Sequence, residues 1–189
     1  MSEKKFDPKK LHVLNDPERL NDIPPDYIWS RLNMHKPEVL VDIGAGTGFF
    51  SIQFLNFAKD AIIFACDTSQ TMLEWMQENV CPEYPGIVPV KMKEKSVPLE
   101  DGVADLVYML NLHHELDEPG AILAEAFRVL KKQGKLFIVD WKKQDMSEGP
   151  PSRIRYLPGQ IAEQLKEADF KDIHIFEEMP KHYLLVARK

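Results

Sequence analysis

Val39-Leu40-Val41-Asp42-Ile43-Gly44-Ala45-Gly46-Thr47-Gly48-Phe49 reads as a short β-branched strand, a turn too tight for side chains, and the start of a helix. Glycines in such a turn adopt backbone conformations closed to other residues and let a ligand approach the chain closely. The helix that follows points its first N–H groups into the same space. The spacing is GxGxG, with an acid two residues before the first glycine. A dinucleotide-binding GxGxxG would put its third glycine where Phe49 stands, and a phosphate loop of the GxxxxGK[ST] type fails because no lysine follows. A carboxylate beside the turn would repel a pyrophosphate, whereas it suits a ligand carrying an ammonium group.

Outward from this turn, short apolar runs alternate with helical patterns. A helix over 49–58 leads to a strand over 61–66, ending beside Asp67, and then to a helix over 70–79 with Thr68 or Ser69 as N-cap. Pro82 and Pro85 break the chain before a third strand, 87–92, and a fourth follows at 106–110. Residues 118–132 carry an apolar stripe of Ile122, Leu123, Ala126, Phe127 and Leu130, with Lys131, Lys132 and Gly134 as C-terminal charge and stop. Strand 135–140, helix 159–168 and strands 172–176 and 183–187 complete the chain. This alternation predicts an α/β fold with a parallel sheet covered on both faces. The last two strands are joined by only about six residues, which favours a hairpin and an antiparallel final strand.

Two segments interrupt the rhythm. Residues 1–36 form a turn-rich cap with Pro17, Pro24, Pro25 and a short helix near 26–32, ahead of a single domain over 37–189. Residues 145–158, with Gly149, Pro150, Pro151, Arg153, Arg155 and Tyr156, form an insertion after a strand, and such insertions lie over the ligand edge of an open sheet. Asp67 closes the second strand about 20 residues beyond the glycines, where a Rossmann-like fold places the carboxylate that takes ribose hydroxyls. A plain strand-ending Asp is the other reading.

The chain has 189 residues, 44% hydrophobic and 29% charged, with a formal charge of −6, which fits one globular domain and argues against a nucleic-acid partner. Cys66 and Cys81 have neither the spacing nor the companions for a metal site or a disulfide framework, so no metal is expected. Residues 1–10 are charged and lack the apolar stretch of a signal peptide, and no window resembles a membrane span. The expected location is the cytoplasm. Phe49, Phe50, Phe54 and Phe57 at helical spacing read as core, and Lys91, Lys93 and Lys95 as a solvated face.

VDIGAGTGFF followed by FACDTSQTMLEWM resembles the first two motifs of class I S-adenosylmethionine-dependent methyltransferases. The resemblance continues through VPLEDGVADLVYMLNLHHELDEPGAILAEAFRVLKKQGKLFIVDW and is greatest to small bacterial members related to the quinone-biosynthesis enzymes. It implies a doubly wound, Rossmann-like seven-stranded sheet of order 3-2-1-4-5-7-6 with strand 7 antiparallel. It also implies S-adenosylmethionine as cofactor and S-adenosylhomocysteine as product. By position, Asp42, Gly44, Ala45, Gly46 and Gly48 face the cofactor's methionine part, and Asp67 takes the ribose hydroxyls. Thr68 and Met72 border ribose and adenine, and Leu110 and Asn111 lie beneath the sulfonium. Many relatives carry a GDA segment where this chain has Met92-Lys93-Glu94, so the usual adenine-contacting Asp is absent, and either Glu94 substitutes for it or backbone groups of Lys93, Glu94 and Lys95 do.

Methyl transfer from a sulfonium needs alignment and shielding more than a fixed catalytic signature. His113, His114 and Asp140, at the ends of the fourth and fifth strands, are the candidates for base chemistry. The plainer reading has one histidine packed beneath the cofactor and the other capping the next helix. HExxH zinc chemistry is excluded because the second histidine is absent. Trp141 reads equally as an acceptor-pocket wall or as core. Arg153, Arg155 and Tyr156 read as a clamp for an anionic acceptor or as a solvated loop. The expected activity is methyl transfer to a small-molecule acceptor, aromatic or quinone-like. The alternatives are a nicotinamide-dependent oxidoreductase and a cofactor-binding module without catalysis.

Overall fold

The computed structural model describes residues 11–189; the charged start of the expected cap, residues 1–10, lies outside the described residues. Seven strands form one sheet in the order β3-β2-β1-β4-β5-β7-β6. They are β1 (Val39–Ile43), β2 (Ile62–Asp67), β3 (Ile87–Lys91), β4 (Ala104–Leu110), β5 (Leu130–Trp141), β6 (Lys171–Phe176) and β7 (His182–Arg188). All pairings from β3 to β5 are parallel, and β7 runs antiparallel to both β5 and β6. The order and the reversed strand are those the resemblance implied. Pro89 falls in β3, an edge strand, where a missing N–H is tolerated.

Helices α1 (Leu11–Leu14), α2 (Arg19–Asp22) and α3 (Pro25–Leu32) precede the sheet; α4 (Phe49–Phe57), α5 (Gln70–Asn79), α6 (Pro119–Val129) and α7 (Pro158–Glu167) cover it. Strand alternation sorts the core into two layers. Leu106, Tyr108 and Leu110 of β4, Phe137 and Val139 of β5, and Leu184 and Val186 of β7 pack with α3, α4 and α5 around Phe54. Val107, Met109, Leu136, Ile138 and Leu185 pack on the other side with Ile122, Leu123, Ala126, Ile161 and Leu165 of α6 and α7. Among the described residues, no helix is long and apolar enough to cross a membrane.

Two local expectations change. Helix α6 ends at Val129, and Leu130 is already extended (φ −68°, ψ 138°), pairing with Ala104. Lys131 and Lys132 therefore open β5 rather than close the helix, and Lys131 Nζ instead reaches Asp105 at 2.8 Å. Phe57 is 41% exposed and stacks on Trp29 rather than joining Phe50 and Phe54 in the core. The reason is the register of α4: Phe50 and Phe54 lie one turn apart on its inner stripe, while Phe57 is at its last position.

Candidate active site

The C-terminal ends of the parallel strands open into a cavity of about 1020 Å³, lined by the glycine loop, the ends of β1, β2 and β4, the cap, and residues 148–151 of the insertion. That volume is at the upper end for small-molecule sites and holds a nucleoside-sized ligand beside a second small molecule. Gly44, Gly46 and Gly48 have φ of +77°, +57° and +74°, so each needs the left-handed region that only glycine enters without strain. Gly44 also passes under Leu112: a Cβ there would come within 2.8 Å of its methyl carbons.

Each oxygen of the Asp67 carboxylate accepts one backbone bond, from Gly46 N and from Ser69 N, both at 2.8 Å. A carboxylate oxygen accepts two bonds, so Asp67 ties the loop to α5 and still faces the cavity with acceptor capacity. Burial raises its pKa, against those two N–H bonds. Ser69 Oγ caps α5 by accepting from Met72 N. Asp42 is 2% exposed and accepts from Ser51 Oγ at 2.6 Å. Burial, reinforced by the charge of Asp67, pushes its pKa up to about 7.

Opposite Asp42 the cap delivers a cation. Arg19 of α2 lies with its guanidinium 4.7 Å from the Phe50 ring centroid and 5.4 Å from that of Phe49, and donates to Leu14 O. Burial lowers its pKa to about 10, against the attraction of Asp42, so it stays charged at neutral pH. Nothing in the local pattern around Arg19 announced this role, because it depends on how the cap folds back.

The candidates for base chemistry separate. His114 Nδ1 donates to Asp140 Oδ1 at 2.7 Å, and its backbone N–H to Asp140 Oδ2 at 2.9 Å; Trp141 N adds a third bond to the same carboxylate at 2.7 Å. His114 lines the cavity with Asp140, 1% exposed, behind it. Burial opposes the charge of both, but their mutual bond and charge raise His114 and lower Asp140 relative to ordinary values. His113 turns away: its Nε2 meets Gln164 Oε1 at 2.8 Å and its ring stands edge-on to Tyr156. Neither histidine caps α6, whose N-cap residue is Glu118.

Of the expected cofactor residues, Asp42, Gly44, Ala45, Gly46, Asp67, Thr68, Met72, Glu94, Leu110 and Asn111 line the cavity. Gly48 does not; it caps α4 and backs onto Met76, whose sulfur a Cβ would meet at 3.1 Å. Lys93 does not either: it bonds across a tight turn to Ser96 with its side chain exposed, while Met92, Glu94 and Lys95 face the cavity. Asn111 sits at φ +54°, a strained position that Asn tolerates better than most residues.

Arg155 is not an anion clamp. It is 3% exposed and donates to the carbonyls of Pro150, Lys142, Gln144 and Glu148 at 2.7–3.1 Å, pinning the insertion from inside. Trp141 is half-buried and lines the cavity beneath the insertion; a Cβ on Gly149 would touch its ring at 2.9 Å. His182, absent from the expected set, packs at a tilt against Trp141 with centroids 4.2 Å apart. It was findable by parity: it begins an antiparallel strand and shares a face with Leu184 and Val186.

Thr47 Oγ1, Asn111 Oδ1 and both ring nitrogens of His182 are buried without a partner. Such atoms cost roughly 1–3 kcal/mol each and mark where a ligand or water completes the bonding. The donor set fits S-adenosylmethionine. Asp42 and Arg19, which line the same cavity, match in charge an ammonium and a carboxylate, Asp67 keeps lone pairs for a diol, and apolar Met72 and Met92 line the cavity as well.

Comparison with known proteins agrees. The family described as "Methyltransferase domain" matches residues 41–138. A crystal structure of a SAM-dependent methyltransferase from Aquifex aeolicus superposes with a TM-score of 0.91 at 28% identity, covering 97% of this chain and 99% of that one. The tRNA(Phe) (4-demethylwyosine(37)-C(7)) aminocarboxypropyltransferase of Methanocaldococcus jannaschii is 27% identical over 121 residues, 63% of this chain. The chain spans about half of that relative's length, 47%. The uncharacterized methyltransferase YdaC of Bacillus subtilis is 23% identical over 77% of this chain and 78% of its own.

Proposed function

Since the chain belongs to the methyltransferase domain family and has the fold of the S-adenosylmethionine-dependent enzymes, we propose that it transfers the cofactor's methyl group to a small-molecule acceptor held under the insertion. The observation that carries this reading is the shared cavity: the glycine loop, Asp42 and Asp67 lie on one side of it, and His114, Trp141 and His182 on the other.

In this reading Asp42 receives the cofactor's ammonium group and Arg19 its carboxylate. Asp67 accepts from the ribose hydroxyls, and Met72, Met92 and Thr68 border the adenine, with Glu94 at its edge. Leu110 and Asn111 form the floor where the sulfonium supplies an activated methyl group. The chain's own work is placement and exclusion of water: the cap and insertion roof the cavity, and Leu112 closes over Gly44. His114 takes a proton from an O–H or N–H acceptor at Nε2. Asp140 fixes the tautomer through Nδ1 and stabilises the imidazolium that forms, so Asp140 is a positioning residue.

Calorimetric titration with S-adenosylmethionine, S-adenosylhomocysteine and NADH tests the cofactor assignment. Both sulfur nucleosides should bind and NADH should not; saturable NADH binding in their place would overturn it. Tritium in the methyl group, as opposed to the aminocarboxypropyl arm, should then appear in the product.

A further inference from the structure

The cavity as a whole, with Asp42, Asp67 and Arg19 on its cofactor side, has a marked charge pattern. Among the described residues, those lining the cavity include ten Asp and Glu against three Lys and Arg. Each of those three cations already faces an acid. Lys181 Nζ lies 2.9 Å from Asp22 and 2.7 Å from Glu148, Lys95 is paired with Glu118, and Arg19 is attracted by Asp42 and Asp16. Arg155 spends its donors on four backbone carbonyls. An anionic acceptor would therefore enter a field of its own sign, with every lining Lys and Arg already facing an acid.

His182 supplies an independent pointer. It is 1% exposed and lines the cavity against Trp141, and neither ring nitrogen has a hydrogen-bond partner. Burial lowers its pKa to about 4, so it is neutral at physiological pH and offers a lone pair. Asn111 Oδ1, also unpartnered, adds an acceptor on the floor. An ammonium group only donates hydrogen bonds, which matches a site that offers acceptors and negative charge.

We propose that the acceptor is a protonated amine, drawn in by the acidic rim and held through an N–H bond to His182. The proposal rests on the methyltransferase reading and narrows its substrate class. His114 lines the same cavity with Nδ1 held by Asp140, so its Nε2 takes one ammonium proton; the pair left on nitrogen then bonds to the methyl carbon as that carbon's bond to sulfur breaks, its pair leaving with the sulfur.

The test uses protein first saturated with S-adenosylhomocysteine, a step that reports cofactor binding by itself. Phenethylamine, 2-phenylethanol and phenylacetate, alike in shape and different in charge, are then titrated at about 20 and about 300 mM salt. The amine is expected to bind about tenfold or more tighter than the alcohol, with the carboxylate weakest, and its affinity to fall severalfold in high salt. His182→Phe keeps a ring against Trp141 but removes both nitrogens, and should weaken the amine about fivefold or more at unchanged S-adenosylhomocysteine affinity. Glu18→Lys, on the exposed rim, should weaken it without touching the core. Alcohol or carboxylate binding as well as the amine, or an amine that fails to bind the loaded protein, overturns the proposal. Protein that does not take S-adenosylhomocysteine overturns the reading beneath it.

Discussion

The two sides of the cavity are built by different means. On the cofactor side, backbone conformation does most of the work, and its parts are neighbours in the chain: Asp42, Gly44 and Gly46, then Asp67, Ser69 and Met72. On the proposed acceptor side, Asp22, Trp141, Glu148 and His182 arrive from the cap, β5, the insertion and β7, and side chains hold them there. Backbone requirements leave a local signature in residue type, whereas side-chain assembly leaves almost none until the chain is folded.

The largest effect that would sharpen this contrast is at Asp140. Asp140→Ala strands three N–H donors and should lower stability by about 3–5 kcal/mol in urea titration. A loss under about 1 kcal/mol would show that the pair is not a structural anchor. The pair's stabilising contribution has a definite pH window. His114 is raised from 6.5, so its share is full below that value and fades as pH rises through the folded pKa. Asp140 is lowered from 3.8, so its share is full above that value and fades as pH falls through the folded pKa.

Next comes Asp67→Ala. Charge-assisted hydrogen bonds contribute about 1.5–3 kcal/mol, so S-adenosylhomocysteine should bind at least about tenfold more weakly. An unchanged dissociation constant would remove Asp67 from the cofactor side altogether. Arg155→Ala should act on the other side alone: limited proteolysis within residues 145–154 should accelerate, while S-adenosylhomocysteine affinity stays within about twofold. Equal loss on both sides would mean that the division drawn here is false.

The smallest effect is at Asp42. Burial lifts its pKa from 3.8 to about 7, so between those values the folded protein keeps a proton that the unfolded chain has lost. An arriving ammonium group favours the carboxylate, so cofactor binding below pH 7 should release up to one proton, and above about pH 8 none. Calorimetry in two buffers of different ionisation enthalpy measures this directly. Buffer-independent heats at pH 6 would count against the Asp42 contact.

Legibility followed the same line. The sheet order came from the resemblance, and the reversed last strand also from a loop too short for a crossover. The glycine spacing and Asp67 were visible because only glycine fits φ near +60° and +75° in this turn. The end of α6 was misplaced because Leu130 and Lys131 suit a helix intrinsically, yet pairing with β4 claims them as strand. Arg155 read as a surface arginine because only the folded insertion shows four carbonyls converging on it. Lys93 and Glu94 could not be told apart in one dimension; the bond between Lys93 and Ser96 turns only the second toward the cavity.

The reversal of β7 has a practical corollary. The strand enters the sheet at the cavity with His182 and leaves it at the opposite edge, where Lys189 N bonds Gly134 O at 2.9 Å and Lys189 Nζ reaches Leu130 O at 2.8 Å. Seven residues of strand span roughly 20 Å. A tether attached after Lys189 therefore emerges on the far side of the molecule, and immobilising the protein through it should leave ligand exchange unhindered. Anchoring through the exposed side-chain position of Glu18 on the cavity rim instead brings the support up against the pocket mouth, and slower ligand exchange there than with the carboxyl-terminal tether is the expected result.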